Sequence, residues 1–443
     1  MEKKEKCYGK KRFCFIMSGI LFLGLIISSC TKENDLEFSD NLYQADYVLK
    51  SGKVNDGSLT PLQLLGKELF FDKISDPDRM ACAECHGSQV GFTGPSPAIN
   101  KKGAVYMGAT PQRFGNRKPP SAAYATFSPV LHLEEERIFI GGNFWNGRAT
   151  GEHYSSNPDA DVLTMGLPAA EQALVPFLNP VEQNNASKAD VLKQIAKSKY
   201  AYLWTEAWDG EELTYDTHDE ISLNYDRVGL AIAAYEGSPE VNAFSSKYDY
   251  YLQDMVDLTS QEIQGLDLFN GDAMCSGCHI SERGSLGEPP LFTDFTFNNL
   301  GVPKNPYNPF YDEDEVFLPD GSAINPLGDG WIDYGLGGFL ENDSNHPEWA
   351  SLATENMGKQ KVPTLRNVDK RPGNGFTKAY MHNGVFKSLK EVVHFYNTRD
   401  DGTWPVPEVS ENLNTDVGNL GLTDAEEDAI VAFLKTLSDG YVK

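Results

Sequence analysis

The chain has 443 residues, 40% of them hydrophobic and 11% aromatic, with 40 glycines and 25 prolines. That is enough apolar material for two or three packed domains, and too little bias for a disordered or fibrous chain. A formal charge of −26 argues against a basic surface for nucleic acid or anionic lipid, and suits a solvated acidic face or a basic protein partner.

In chain order the N-terminus comes first. Lys3, Lys4, Lys6, Lys10, Lys11 and Arg12 precede the apolar run 13–27, and Ser28, Ser29 and Cys30 follow. A basic region, a short apolar region and small residues before a cysteine describe a secretory signal over residues 1–29. The run is too short to read as a transmembrane helix. Ile27-Ser28-Ser29-Cys30 has the form of a bacterial lipobox, with Cys30 acylated after cleavage; a plain signal peptide is the alternative. Residues 30–58 are polar and aperiodic and read as a tether. The expected location is the bacterial cell envelope, lipid-anchored on the periplasmic or surface side.

Thr60-Pro61 then opens a short helix through Leu65-Gly66-Lys67-Glu68-Leu69-Phe70-Phe71-Asp72. Two hundred residues on, Thr259-Ser260-Gln261-Glu262 is a capping box that opens a second, Gly265-Leu266-Asp267-Leu268-Phe269-Asn270-Gly271. Both carry a G-x-x-L-F segment. Thr423 to Glu427 caps a third amphipathic helix with the stripe Ala429, Ile430, Phe433, Leu434 and Leu437. Strand-like alternation is scarce. Residues 149–166 and 303–358, rich in Asn, Asp, Pro and Gly, read as surface loops, and the acidic run Asp312 to Glu315 as a solvated face.

Of seven cysteines, Cys7 and Cys14 leave with the signal and Cys30 is the lipid site. The other four form Cys82-Ala83-Glu84-Cys85-His86 and Cys275-Ser276-Gly277-Cys278-His279. C-x-x-C-H is the pattern of covalent c-type haem attachment. Two thiols on one helical turn add across the two haem vinyl groups, and the adjacent histidine presents its imidazole to the iron. A four-cysteine zinc site or a redox C-x-x-C pair would leave the histidine after each pair unexplained. The expected fold is all-α: two cytochrome c-like domains around two c-type haems with long loops, over residues 59–250 and 251–443.

Two such domains, with Phe144-Trp145-Asn146-Gly147-Arg148-Ala149, Glu171-Gln172-Ala173, Asn179-Pro180-Val181-Glu182, Phe292-Thr293-Asp294-Phe295, Val362-Pro363-Thr364-Leu365-Arg366-Asn367 and Tyr380-Met381-His382-Asn383-Gly384, resemble the bacterial dihaem cytochrome c peroxidase family, MauG-like enzymes included. The resemblance implies two covalent haem c groups, a calcium ion between them, hydrogen peroxide as substrate and a small electron donor such as a cytochrome c. A homodimer is compatible with it. It makes His86 and His279 the haem iron ligands, Glu182 the acid/base, Gln172 its partner and Trp145 the bridge between the haems. A carboxylate in a haem pocket has its pKa raised by desolvation and can move a proton between peroxide oxygens. The matching calcium positions are Asn116, Thr377 and Ala379.

Two departures from the peroxidase pattern stand out. Residues 87–131 contain no histidine that could cap the first iron; Met107 is expected to pack, so the first haem is expected to be five-coordinate. Fourteen residues after His382 stands Tyr396 where the peroxidases place an axial methionine, with Met381 and His394 as other candidates. Both departures resemble the MauG-like members. Three functions stay open at this point: a peroxidase, a MauG-like oxidase that uses peroxide to oxidise a protein side chain, and a non-catalytic dihaem electron-transfer cytochrome.

Overall fold

The computed structural model describes residues 58–135, 137–284 and 287–442; the expected signal peptide, Cys30 and the tether before Ser58 lie outside the described residues. Two helix pairs organise the core. In the first half, helix Pro61–Phe71 is closed at its start by a capping box, Thr60 Oγ1 accepting the Gln63 N–H and Gln63 Oε1 accepting the Thr60 N–H. It crosses the 19-residue helix His218–Glu236, which Thr217 and Glu220 cap in the same way. At the crossing a Cβ on Gly66 would lie 1.8 Å from the Ala231 carbonyl oxygen, so only glycine lets the two backbones meet.

The second half repeats this contact. Helix Ser260–Asn270 crosses Asp424–Lys435, and a Cβ on Gly265 would lie 1.9 Å from the Ala429 oxygen. Leu69 and Phe70 in one pair and Phe269 and Phe433 in the other are buried around the crossings. The closing helix of the first half, 218–236, has no counterpart in the sequence reading, although Thr217 to Glu220 carries the same capping signal as Thr423 to Glu426.

The fold is helix-rich, as expected. Among the described residues its strands are two short antiparallel pairs, His132–Leu133 with Phe139–Ile140 and Phe297–Asn298 with Gln360–Lys361. Among the described residues no helix is long and apolar enough to cross a membrane.

The segment 303–358 is more than a surface loop. Helix Gly335–Asn342 and the turn Pro347–Leu352 bury Leu336, Leu340, Trp349 and Leu352 against Leu131, Phe139 and Phe297 in a third small core. Its apolar residues lack a period because their partners lie far away in sequence. Segment 149–166 likewise buries Tyr154, whose hydroxyl donates to the Asp226 carbonyl at 2.8 Å. Within the acidic run Glu313 is only 1% exposed, and its Oε1 accepts the Phe114 N–H at 2.7 Å.

Buried charge ties sequence-distant segments. Arg366 makes a two-pronged pair with Asp249, at 3.0 and 2.8 Å, with both side chains 1% exposed. The buried Lys378 ammonium donates to three backbone carbonyls, Val90 at 2.8 Å, Asn367 at 2.9 Å and Lys370 at 3.0 Å. Three acceptors match the three N–H bonds of a protonated lysine and favour that form, against burial, which pushes the Lys378 pKa well below the usual lysine value.

Candidate haem cavities

The short helix Cys82–Cys85 turns both thiols toward a cavity of about 540 Å³. The His86 N–H continues the turn to the Cys82 carbonyl at 2.9 Å, and its Nδ1 donates to the Phe92 carbonyl at 3.0 Å. Burial lowers the His86 pKa to about 4, so the ring is neutral and its Nε2 lone pair is left for the cavity. The second motif repeats this. The turn Cys275–Gly277 opens on a cavity of about 500 Å³ lined by both cysteines, and His279 Nδ1 donates to the Phe292 carbonyl at 2.9 Å.

All four cysteines are free, and the pairs line different cavities, so they form neither a disulfide framework nor one four-cysteine zinc site. Among the described residues no group of three or more His, Cys, Asp or Glu could hold a metal ion. Burial pushes the Cys82 and Cys275 thiols up to about 12, so both are neutral thiols at neutral pH. A thiol pair, an oriented neutral imidazole and a cavity of ligand size fit a haem held by two thioether bonds and one axial histidine.

Helix Leu167–Leu178 carries Gln172 to the first cavity. The chain then turns back over the helix end, the Glu182 N–H donating to the Asn179 carbonyl at 3.0 Å, which sets Glu182 in the same cavity. Asn179 Nδ2 donates to Glu182 Oε2 at 2.7 Å. Burial raises the Glu182 pKa, and the Asn179 amide and the nearby Arg148 charge only partly offset it. From behind, the loop after the first haem motif presses on this turn. The Ala109 N–H donates to the Glu182 carbonyl at 2.6 Å, and a Cβ on Gly108 would sit 2.4 Å from the Val181 oxygen. Arg148, its guanidinium 3.6 Å above the Phe144 ring, completes this wall.

Sequence reasoning missed Glu236. It is 3% exposed, faces the first cavity, and burial pushes its pKa up to about 8. Its only sequence signal was its place at the end of the unrecognised helix 218–236.

Trp145 lines both cavities. Its Nε1 donates to the Lys118 carbonyl at 2.8 Å, and the Lys118 N–H donates to the His382 carbonyl at 2.8 Å. Beside it Arg117, on the first cavity, makes a two-pronged pair with Asp333, on the second, at 2.6 and 2.5 Å. Burial alone would raise the Asp333 pKa; the Arg117 charge overrides that and holds the carboxyl well below the usual range.

Tyr396 and Met381 both line the second cavity, and no hydrogen bond reaches the Tyr396 hydroxyl among the described residues. His394 does not line it: its side chain is half exposed, with Nδ1 2.9 Å from Glu427 Oε1. It is therefore removed as a ligand candidate. Met107 is 41% exposed at the edge of the first cavity, with its sulfur accepting the Gln112 N–H.

Two of the three positions expected for calcium, Asn116 and Thr377, have their carbonyls in hydrogen bonds within the protein. The Asn116 carbonyl accepts the Asn308 amide, the Thr377 carbonyl accepts the Asn100 amide, and the Lys378 side chain between Thr377 and Ala379 donates to the Val90 carbonyl.

The model of the di-haem cytochrome c peroxidase family matches residues 61–257. The chain is 30% identical over 394 residues to the methylamine utilization protein MauG of Paracoccus denitrificans, covering 85% of this chain and 88% of that one. It is 26% identical over 378 residues to the cytochrome-c peroxidase IdrP2 of Denitromonas iodatirespirans, covering 84% and 80%. Among solved structures it is similar to the diheme peroxidase BthA of Burkholderia thailandensis, with a TM-score of 0.67 and 28% identity over 88% of this chain and 89% of that one. The chain thus belongs to the di-haem cytochrome c peroxidase family.

Proposed function

We propose that this chain is a dihaem c-type peroxidase of the bacterial cell envelope, anchored through Cys30, with cytochrome c-like domains at 59–250 and 251–443. It reduces hydrogen peroxide with electrons that enter at the second cavity from a small donor protein. The observation that supports this best is the company in the first cavity: an oriented histidine, Glu182 and Gln172 together, with Trp145 shared with the second cavity. A pure electron carrier has no need of a carboxylate there.

When bound, the haems supply a peroxide-binding iron in the first cavity and an electron-accepting iron in the second. The residues do the rest. Gln172 offers an amide to orient the peroxide. Glu182 takes the proton from one peroxide oxygen and returns it to the departing oxygen. One peroxide, two electrons and two protons leave as two waters. His86 and His279, each fixed through Nδ1, would hold the irons through Nε2.

A second reading has its own support. Tyr396 in the second cavity, together with the similarity to MauG across most of both chains, favours a MauG-like oxidase that spends peroxide on a protein side chain. Stopped-flow spectroscopy with peroxide, with and without a reduced cytochrome c, tests the two. Rapid donor oxidation supports the peroxidase. A long-lived oxidised state that ignores the donor supports the oxidase.

A further inference from the structure

The wall of the first cavity is not built by the first half alone. Leu318, Ala323 and Ile324, all from the insertion 303–358 of the second half, line it together with the polar residues Arg148, Gln172 and Glu182. They sit on a small hairpin. Phe317 bridges Ala323, the Leu318 N–H donates to Ser322 at 2.8 Å, and the Ile324 N–H donates to Val316 at 2.9 Å. Gly321, with φ of +87°, makes the exposed tip.

The root of this hairpin is fastened to the first half. Glu313 Oε1 holds the Phe114 N–H at 2.7 Å, and the Glu313 carbonyl accepts the Asn325 N–H at 3.2 Å, so one residue joins both strands to the first half. Asn308 Nδ2 donates to the Asn116 carbonyl at 2.9 Å. Phe114 itself pairs with Met107, at the edge of the same cavity, and the loop between them backs the Glu182 turn. The hairpin is thus held in one position against the cavity, and it presents only apolar side chains there.

Apolar side chains offer peroxide no hydrogen bond, and a fixed wall narrows the cavity for larger molecules. We propose that the hairpin 316–324 is the specificity element of the first cavity: it admits peroxide-sized molecules and shuts out aromatic reductants. Electrons must then enter at the second cavity and pass Trp145. This inference rests on the proposed peroxide site and says which molecules reach it.

The test uses the full-length holoprotein and a size series of iron ligands, followed by absorption spectroscopy: cyanide, imidazole and 4-phenylimidazole. Wild type is expected to bind cyanide readily and 4-phenylimidazole weakly. Leu318→Gly and Ile324→Gly should keep the cyanide affinity and tighten 4-phenylimidazole by about tenfold, the scale of relieving a steric clash. Peroxide-driven oxidation of a bulky dye such as ABTS should rise with it. A third variant that replaces residues 317–323 with Asn-Gly covers the case where a point change is absorbed by repacking.

Equal binding of cyanide and 4-phenylimidazole by wild type overturns the proposal, as does an unchanged size series in all three variants. If cyanide binds with the expected size dependence but peroxide is not consumed, the hairpin inference stands and the peroxidase reading falls. If cyanide does not bind wild type at all, both fall.

Discussion

Trp145 and His382 meet edge to face, with ring centroids 6.5 Å apart and planes at 68°. The indole borders the first cavity as well as the second, whereas the imidazole borders only the second. Between them the Lys118 peptide takes the Trp145 N–H on its oxygen and gives its own N–H to His382. Trp145 is therefore fixed in position at the one wall the two cavities share.

Trp145→Phe keeps an aromatic ring and loses the bond to Lys118. Donor-fed reduction of the first site should slow in this variant, while cyanide affinity at that site stays as in wild type. Stopped-flow traces at the two haem bands would show it. Unchanged transfer would make Trp145 a packing residue only.

Glu182→Gln keeps size and the Asn179 contact but removes the titratable group. Peroxide turnover should fall by about 10²–10⁴-fold with haem content unchanged. The sign of the pH effect follows from the raised pKa: the carboxylate form, which accepts the proton, is lost as pH falls through that pKa. The acid limb of the wild-type profile should then lie above the ordinary Glu value of about 4.3 and vanish in the variant.

Tyr396 can be separated from Met381 by spectroscopy. With an oxygen ligand the second haem should show no methionine–iron charge-transfer band and a low potential. Tyr396→Met should create that band and raise the potential. A methionine spectrum in wild type would pass the role to Met381, which lines the same cavity.

The two helix crossings make a paired prediction. Gly66→Ala and Gly265→Ala each push a methyl into a backbone carbonyl less than 2 Å away. Each should cost about 1–3 kcal/mol, the usual range for overpacking, or more if the helices cannot part. Thermal unfolding of the holoprotein measures it, and a neutral Gly66→Ala would mean that the helices separate freely.

What was legible in the sequence was local. C-x-x-C-H, the G-x-x-L-F segments and the Thr capping boxes each lie within a few residues, so their chemistry could be read without knowing the partners. The choice between Tyr396 and His394 was left open by the sequence and needed the cavity to decide it. Leu389, Val392 and Tyr396 share one face of helix Leu389–Thr398 and all line the second cavity, while His394 points elsewhere. Glu236, Glu313 and the third core were not legible, because each is defined by partners distant in sequence. The bond from Glu313 to Phe114 spans 199 residues, and neither residue announces the other.

Lys378 has the last consequence. Its ammonium gathers the carbonyl of Val90, beside the first haem motif, and those of Asn367 and Lys370, close to the Tyr380–Gly384 motif. A hydrogen-bond donor carried on the chain cannot be washed out, exchanged or chelated. The joint it makes is set at folding and stays set, whatever the ionic supply of the surroundings. Lys378→Met, which strands three carbonyls, should lower thermal stability by about 1–3 kcal/mol for each carbonyl left without a donor.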